Sequence, residues 1–131
     1  MNVTFSSIAV GSKWTRQELA ARWDCEAYQA IARGVVTPRD SRFIILFVQE
    51  DKPEGFTPYE NRLDGKRLHW EGEQKHGNDI RIANAEKAGD EIHIFHREQH
   101  RNPFTYLGRA RLIRFEHRTN APSQAEFEVA D

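Results

Sequence analysis

The central segment of the chain contains the residue types and spacing best suited to binding a flat ligand. Residues 67–74 alternate between apolar or small and polar side chains, which predicts a β-strand. One face of that strand carries Leu68 and then Trp70, Gly72 and Gln74, an indole, a glycine and an amide. Because glycine has no side chain, we expect a flat group to approach the backbone beside the indole. The competing interpretation, a core tryptophan beside a β-bulge, follows the usual role of aromatic side chains.

Further side chains would complete a pocket for a nucleobase. Aromatic rings suited to stacking lie near predicted turns or on one parity of adjacent predicted strands, at Tyr59, Trp70, Phe104 and Tyr106. Neutral groups able to hydrogen-bond the edge of a base are supplied by Asn61, His69 and Gln74. Stacking a base on an aromatic ring contributes about 1–3 kcal/mol. That gain offsets the few kcal/mol needed to unstack a nucleotide from a duplex.

Arginines are concentrated between residues 97 and 118. The six are Arg97, Arg101, Arg109, Arg111, Arg114 and Arg118, and the same stretch has only two acids, Glu98 and Glu116. A guanidinium group binds phosphate through two parallel hydrogen bonds, so we predict phosphate contacts at Arg97, Arg101, Arg109 and Arg111. The alternative is a solvated strand face crossed by the acidic residues near the end of the chain, Glu126, Glu128 and Asp131.

The candidate ligands for a metal site are His96 and His100, which lie four residues apart. Their order differs from the His-Glu-x-x-His helix of metalloproteases. The segment is also predicted to be the end of a strand entering a turn, where this spacing does not bring two rings together. We therefore predict no metal and no cofactor.

A metal-dependent nuclease is the enzymatic alternative. Glu73 and Lys75, with Asp40 or Asp64 upstream, fit the acid…Glu-x-Lys arrangement in which two carboxylates hold a divalent ion. This spacing arises readily by chance in a chain with 30% charged residues. Phosphate-cradling glycine loops and a Gly-x-Ser-x-Gly elbow are absent from the sequence. The preferred prediction is therefore a protein without catalytic residues.

Composition sets the remaining limits. A chain of 131 residues suits one domain, residues 1–131, and its net charge of −1 selects no partner. The single cysteine, Cys25, excludes an internal disulfide and is expected to be a buried thiol. Neither a signal peptide nor an apolar run of membrane-spanning length is recognised, so we expect a cytoplasmic protein that does not enter membranes.

The helices and strands predicted to position these residues indicate an α+β domain. Strands are predicted at residues 2–10, 43–48, 59–63, 66–74, 91–97, 104–115 and around 127–129. Helical segments are predicted after the capping-box spacing of Thr15 and Glu18, over residues 26–32, and from Asn78 to Ala88.

The longest strand changes its apolar parity, which predicts a bend near Gly108 that would help a sheet roll up. An Asp64-Gly65 turn is expected to join two strands as a hairpin. The fold prediction is a curled, mostly antiparallel, barrel-like sheet of six or seven strands with two or three short helices.

Four blocks of residues occur in a familiar order. They are residues 47–52, the segment Leu68-His69-Trp70-Glu71-Gly72-Glu73-Gln74, residues 92–98 and the segment Pro103-Phe104-Thr105-Tyr106-Leu107-Gly108. From about residue 13 to the end, the chain resembles the uncharacterised domain at the C-terminal end of bacterial superfamily-II helicases, which also occurs in endonuclease fusions. It is similar, more loosely, to the PUA and SRA barrels that hold modified bases in a pocket.

The resemblance implies a domain that works in the company of DNA-processing, restriction-like enzymes. Trp70 and Gln74 match the family's Trp…Gln block, Arg97 matches the arginine after the second strand, and Phe104, Leu107 and Gly108 match its Phe…Leu-Gly block. Glu73 departs from the pattern, because the family usually has serine or a similar residue there. We therefore predict a non-catalytic DNA-binding module, in one form a reader of a modified base, with a helicase or nuclease partner. The alternatives are the nuclease and a protein-interaction or self-association module.

Overall fold

The protein is an α+β domain built around one curled sheet. A computed structural model describes residues 1–51, 61–72 and 77–130. Within these residues the sheet has eight strands, one more than the upper end of the prediction: β1 Lys13–Trp14, β2 Val35–Val36, β3 Phe43–Gln49, β4 Arg62–Asp64, β5 Arg67–Glu71, β6 Glu91–Arg97, β7 Phe104–Glu116 and β8 Gln124–Val129. Their order across the sheet is β2-β3-β6-β7-β8-β5-β4, and β1 pairs with β7.

Among the described strands, β3 and β6 form the only parallel pair, and the other pairs are antiparallel. The register runs from Phe43 opposite Glu91 to Gln49 opposite Arg97. The carboxyl ends of two neighbouring strands from distant parts of the sequence therefore lie side by side at the same end of the sheet. This pairing is the feature of the fold that positions the candidate site.

Both faces of the central strands are buried, which explains why β3 is apolar at every position from Phe43 to Val48. Ile44, Leu46 and Val48 belong to an interior cluster that also contains Leu68, Trp70, Ile94 and Phe127. Ile45 and Phe47 belong to a helix-side cluster with Leu19, Trp23, Phe95 and Phe104. Two hydrophobic layers thus share one sheet, and a side chain's parity decides which layer it enters.

The sheet curls at two irregularities in β7. The pairing of β6 with β7 shifts register between Ile94 and Phe95, opposite Gly108, whose φ of +103° is a conformation that favours glycine. A second shift occurs between Leu112 and Arg114 in the pairing with β8. The predicted bend near Gly108 is confirmed, as is the curled, mostly antiparallel sheet.

The helices are short. α1 spans Arg16–Arg22 and begins with the predicted capping box, in which Thr15 accepts from the Glu18 backbone and the Glu18 side chain accepts from the Thr15 N–H. Residues Tyr28–Ile31 form a 3-10 turn where a longer helical segment was expected.

The helix predicted from Asn78 to Ala88 is divided at Asn84 into α2, Asp79–Ala83, and α3, Ala85–Ala88. It ends as expected at Gly89, which is left-handed. The strand predicted over residues 2–10 is not present. That segment instead packs Phe5 and Ile8 into the helix-side cluster. None of the helices in residues 1–51, 61–72 and 77–130 combines the length and apolar character needed to cross a membrane.

Candidate functional site

Polar side chains collect where the parallel pair ends. After its apolar run β3 finishes at Gln49 and is followed by Glu50, and β6 finishes with His96 and Arg97. Because strand residues alternate in direction, Glu50 and His96 point to the interior side and Gln49 and Arg97 to the helix side. We call this region the mouth, defined by Gln49, Glu50, Asn61, His96 and Arg97.

A carboxylate and an imidazole are paired at the mouth. His96 Nε2 lies 2.8 Å from Glu50 Oε2, and their side chains are 9% and 25% exposed. The second carboxylate oxygen, Oε1, accepts from the backbone N–H of Leu63 at 3.3 Å. Glu50 therefore connects His96 on β6 to the backbone of β4, and part of its carboxylate remains exposed to solvent. Such a group can accept a hydrogen bond from an amino group of a ligand.

Asn61 holds the mouth together through backbone contacts. It is buried, its Nδ2 donates to the carbonyl of Gln49 at 3.3 Å, and its Oδ1 accepts from the N–H of Glu71 at 3.0 Å. These bonds connect the end of β3 to the end of β5. Asn61 was predicted to hydrogen-bond the edge of a base. Its amide instead positions the strands around the mouth.

A cleft of about 590 Å³ opens at the mouth. Its lining mixes apolar, polar and basic groups: Lys13, Leu63, His96, Arg97, Glu98, Asn102, Pro103, Thr105 and Leu107. Its volume lies within the range of about 300–1,000 Å³ typical of ligand pockets. The cleft is therefore large enough for a planar group, and Leu63 on β4 and Leu107 on β7 give it apolar lining.

Arg97 joins this cleft to the helix-side layer. Its Nε donates to Gln49 Oε1 at 2.9 Å and its Nη1 to the carbonyl of Asn102 at 3.1 Å. The guanidinium carbon lies 4.2 Å from the centre of the Phe104 ring. Desolvation by burial lowers its pKa. All of these partners are neutral, so the positive charge is positioned but not cancelled by them.

Trp70 lies in the interior cluster. It is 5% exposed and makes an edge-on contact with Phe127 at 5.8 Å between ring centres. A Cβ added at Gly72 would lie 3.1 Å from the indole Cη2, so the space expected beside this glycine is already filled by the indole. The structure thus places Trp70 as in the core interpretation and leaves almost no ring surface on which a base could stack.

The remaining residues of the predicted pocket lie in different layers. His69 points to the opposite face of β5 and contacts Glu126 at 3.2 Å. Phe104 and Tyr106 are buried in the helix-side cluster. Tyr59 and Gln74 lie outside the described residues. The five described members of the predicted set are therefore not in one pocket: Asn61 and Trp70 are the only ones of the five on the interior side of the mouth.

Tyr106 has a partner within its own layer. Its hydroxyl lies 2.7 Å from Nδ1 of His93, whose Nε2 contacts Glu91 at 3.1 Å. Burial and the nearby Glu91 charge raise the pKa of Tyr106 to about 12. Burial also lowers the pKa of His93, although the hydrogen bond and the charge of Glu91 oppose that shift. The phenol is therefore a neutral donor to a neutral imidazole.

The four arginines predicted to bind phosphate lie in three different places. Arg97 is at the mouth, and the exposed Arg101 lies in the following turn with a φ of +73°. Arg109 and Arg111 lie in the middle of β7, where they line a groove of about 380 Å³ beside α3. Arg109 pairs with His93 in register, three strand positions from His96, or about 10 Å along β6. One phosphate group cannot contact all four arginines.

Acidic residues near the end of the chain do contact part of the arginine-rich segment, at Arg111 and Arg114. Arg111 contacts Glu128 at 3.4 Å, and Arg114 contacts both Glu116 and Glu126 at 3.4 Å. Glu126 also accepts from Arg67 at 3.1 Å. Although desolvation opposes it, the hydrogen bond from Arg67 and the charges of His69 and Arg114 lower the pKa of Glu126. We call this surface, formed by Arg67, Arg111, Arg114, Glu126 and Glu128, the paired-charge face.

The structure describes only part of the proposed nuclease set. In residues 1–51, 61–72 and 77–130 there is no cluster of three or more histidines, cysteines or acids able to hold a metal ion. Glu73 and Lys75 lie outside the described residues, while Asp40 precedes β3 and Asp64 ends β4. His100 contacts Gln49 Oε1 at 3.4 Å, and His96 is paired with Glu50.

Two other groups could be mistaken for nucleophiles. Ser123 is fully buried, and its hydroxyl donates to Asp79 Oδ2 at 2.6 Å. His117 Nδ1 lies 3.2 Å from the same oxygen and 3.4 Å from Ser123 Oγ, so one imidazole nitrogen faces both groups, whereas the base of a catalytic triad uses one nitrogen for each. Burial raises the pKa of the Cys25 thiol, which favours its unreactive form.

The residues that define the mouth were mostly missed from the sequence. His96 was weighed only as a metal ligand, and Gln49 and Glu50 entered only as part of the block of residues 47–52, with no role in the site. The available signal was a pair of apolar strands that both end in polar residues. That signal becomes informative only when the strands are parallel neighbours, because ligands of open sheets bind beyond the carboxyl ends of their strands.

Comparison with known proteins identifies the fold. No protein-family model matches the chain, and no curated protein matches it. The structure is similar to the SRA domain of SUVH5 solved in complex with fully methylated CG DNA, with a TM-score of 0.59 and 10% identity over 99% of this chain and 94% of that one. It is also similar to AspBHI, a DNA modification-dependent restriction endonuclease, with a TM-score of 0.53 and 15% identity over 93% of this chain and 73% of that one. The resemblance to SRA barrels is therefore confirmed for the fold: the domain is an SRA-like α+β sheet.

Proposed function

We propose that the protein is a DNA-binding module that holds one base, extruded from the duplex, in the cleft at the mouth. The observation that carries this proposal is the partly exposed Glu50–His96 pair at the end of a parallel strand pair in an SRA-like fold. A base can be examined individually only after it leaves the stack. A cleft of about 590 Å³ lined by His96, the partner of the Glu50 carboxylate, is suited to that task.

Specificity would come from the edge of the base. A carboxylate accepts a hydrogen bond from the N4 amino group of cytosine, and apolar side chains contact a methyl group at C5. Glu50, which contacts the cleft residue His96, would provide the first contact, and Leu63 and Leu107 in the cleft lining would provide the second. SUVH5 was solved with methylated DNA and AspBHI depends on DNA modification, which supports a modified cytosine as the base.

Phosphate contacts would come from the rim. Arg97 lines the cleft, and Arg101 follows it in the adjoining turn. Trp70 would support the cleft from the interior cluster, while Tyr59 and Gln74 remain predicted contributors. The module would not cut DNA itself and would supply recognition to a helicase or nuclease partner, in line with the family that the sequence resembles.

The test is a titration of labelled duplexes that carry unmodified or C5-methylated cytosine, at two salt concentrations, followed by fluorescence anisotropy. The wild type is expected to prefer the modified duplex, and binding should weaken as salt rises. Glu50→Gln should remove about 1–3 kcal/mol of base discrimination. Glu86→Gln on α3 is the matched control, because this exposed carboxylate lies outside the mouth.

The outcomes separate the alternatives. If no duplex binds, the proposal fails. If Glu50→Gln keeps the preference of the wild type, base reading does not occur at the mouth. Addition of Mg²⁺ to the same duplexes tests the nuclease, since cleavage that disappears in Glu73→Gln would show an enzyme. A 2-aminopurine placed next to the target cytosine should fluoresce on binding if the cytosine leaves the stack.

A further inference from the structure

Two guanidinium groups lie against the same aromatic ring on the helix side of the mouth. The Cζ of Arg97 is 4.2 Å from the centre of Phe104, and the Cζ of Arg16 is 5.0 Å from it. Arg16 also lies 4.9 Å from the centre of Phe47. These like charges come from two elements that are distant in the sequence, α1 and β6.

No carboxylate among the described residues forms an ion pair with either guanidinium. Arg16 donates from Nε to the carbonyl of Ile31 at 3.1 Å and from Nη2 to that of Arg33 at 3.5 Å. Arg97 uses Gln49 and Asn102, which are also neutral. Burial and then the charge of Arg97 lower the pKa of Arg16 to about 10. Two half-buried like charges that find no counterion within residues 1–51, 61–72 and 77–130 destabilise one another, and an anion between them would relieve this.

The neutral hydrogen bonds fix the orientation of both groups. An arginine has five N–H donors, so each group retains donors after the two bonds to neutral oxygens. Planar guanidinium groups held on aromatic rings are suited to binding phosphate oxygens through paired hydrogen bonds. The site is therefore ordered before a ligand arrives.

We propose that Arg16 and Arg97 form a clamp for one phosphate group, which in the DNA complex is a backbone phosphodiester next to the extruded base. The identification of that phosphate as DNA rests on the proposed function. Arg16 was not among the predicted phosphate-binding residues, because it lies 81 positions before Arg97 and outside the arginine-rich segment.

The first experiment needs no DNA. Inorganic phosphate is titrated into the ¹⁵N-labelled wild-type protein, and the arginine Nε–Hε signals are followed by NMR. The signals of Arg16 and Arg97 should shift together with one dissociation constant, while that of Arg114 on the paired-charge face should not. Assignment uses their loss in Arg16→Lys and Arg97→Lys. If neither signal moves, or if all exposed arginines move alike, the clamp does not exist.

The second experiment places the clamp in the DNA complex. Arg16→Gln should weaken binding to unmodified and modified duplexes by the same factor, about tenfold, and reduce the slope of log affinity against log salt by roughly 0.9. The preference for the modified duplex should persist. A loss of preference, or an unchanged slope in a folded variant, overturns the assignment to a DNA phosphate. If phosphate binds at the clamp but no duplex binds, the proposed function fails and the clamp stands.

Discussion

The mouth and the paired-charge face both present arginines, but their charges are balanced differently. On the paired-charge face Arg67, Arg111 and Arg114 each contact a glutamate within 4.0 Å. At the mouth Arg97 is held by the neutral oxygens of Gln49 and Asn102 and by an aromatic ring. The arginines of the paired-charge face are thus matched to carboxylates, whereas the described partners of Arg97, where the cleft opens, are neutral.

The difference shows that arginine density in a sequence does not locate an anion site. Cross-strand register sets which acids face which bases, and β8 brings Glu126 and Glu128 beside β7. An exposed ion pair contributes little to stability, typically less than about 1 kcal/mol, because both groups remain solvated. The main consequence of these ion pairs is that Arg67, Arg111 and Arg114 are less able to bind an external phosphate.

The largest effect that would separate the two regions is on stability. Trp70→Ala should lower the free energy of unfolding by about 3–5 kcal/mol, because it leaves a cavity in the interior cluster that supports the mouth. Urea denaturation measures this. A folded variant of near-wild-type stability that has lost DNA binding would instead show that the indole lines a ligand pocket, as in the first prediction for this residue.

The packing beside the mouth can be tested with a smaller change. Gly72→Ala should cost about 1–3 kcal/mol, because the new Cβ would lie 3.1 Å from the indole Cη2 and 3.2 Å from its Cζ3. Gly34→Ala is the matched control, since its Cβ would have no neighbour within 4 Å. Thermal melting compares them. Equal stability of the two variants would mean that Trp70 moves aside freely.

The comparison itself is tested by substituting one arginine in each region. Arg97→Gln should weaken DNA binding about tenfold and lower the salt slope by roughly 0.9, since it removes a phosphate contact. Arg114→Gln should change binding less than about twofold, because its charge is already balanced by Glu116 and Glu126. Anisotropy titrations at several salt concentrations measure both. Equal losses would show that the paired-charge face also binds DNA.

A smaller effect is expected from pH. Burial depresses the pKa of His93 below its usual 6.5, so the fold favours the neutral imidazole. Its contribution to stability is complete above that value and is lost as pH falls through the folded-state pKa. The opposing effect of Glu91 limits the change. Melting temperatures at pH 7.5 and 5.5 should differ less in His93→Gln than in the wild type. An identical difference would assign the pH dependence to other groups.

The sequence predicted elements wherever a local rule acts. The capping box at Thr15, the buried strand starting at Phe43 and the bend at Gly108 each depend on neighbouring residues, and each is present. The segment before Gly11 was predicted to be a strand but forms none, because its apolar side chains are used to cover the helix-side cluster. Local alternation cannot distinguish these two uses of the same residues.

The candidate site depended on long-range pairing. Sequence alone determined that Trp70 lies on the apolar face of its strand, that arginines concentrate after residue 97 and that the chain resembles SRA-type barrels. The tertiary structure decided that Glu50 meets His96, 46 positions away, and that β8 carries acids to Arg111 and Arg114. The physical reason is that hydrophobic alternation specifies which face of a strand is buried, whereas the neighbour of a strand depends on how the whole sheet curls.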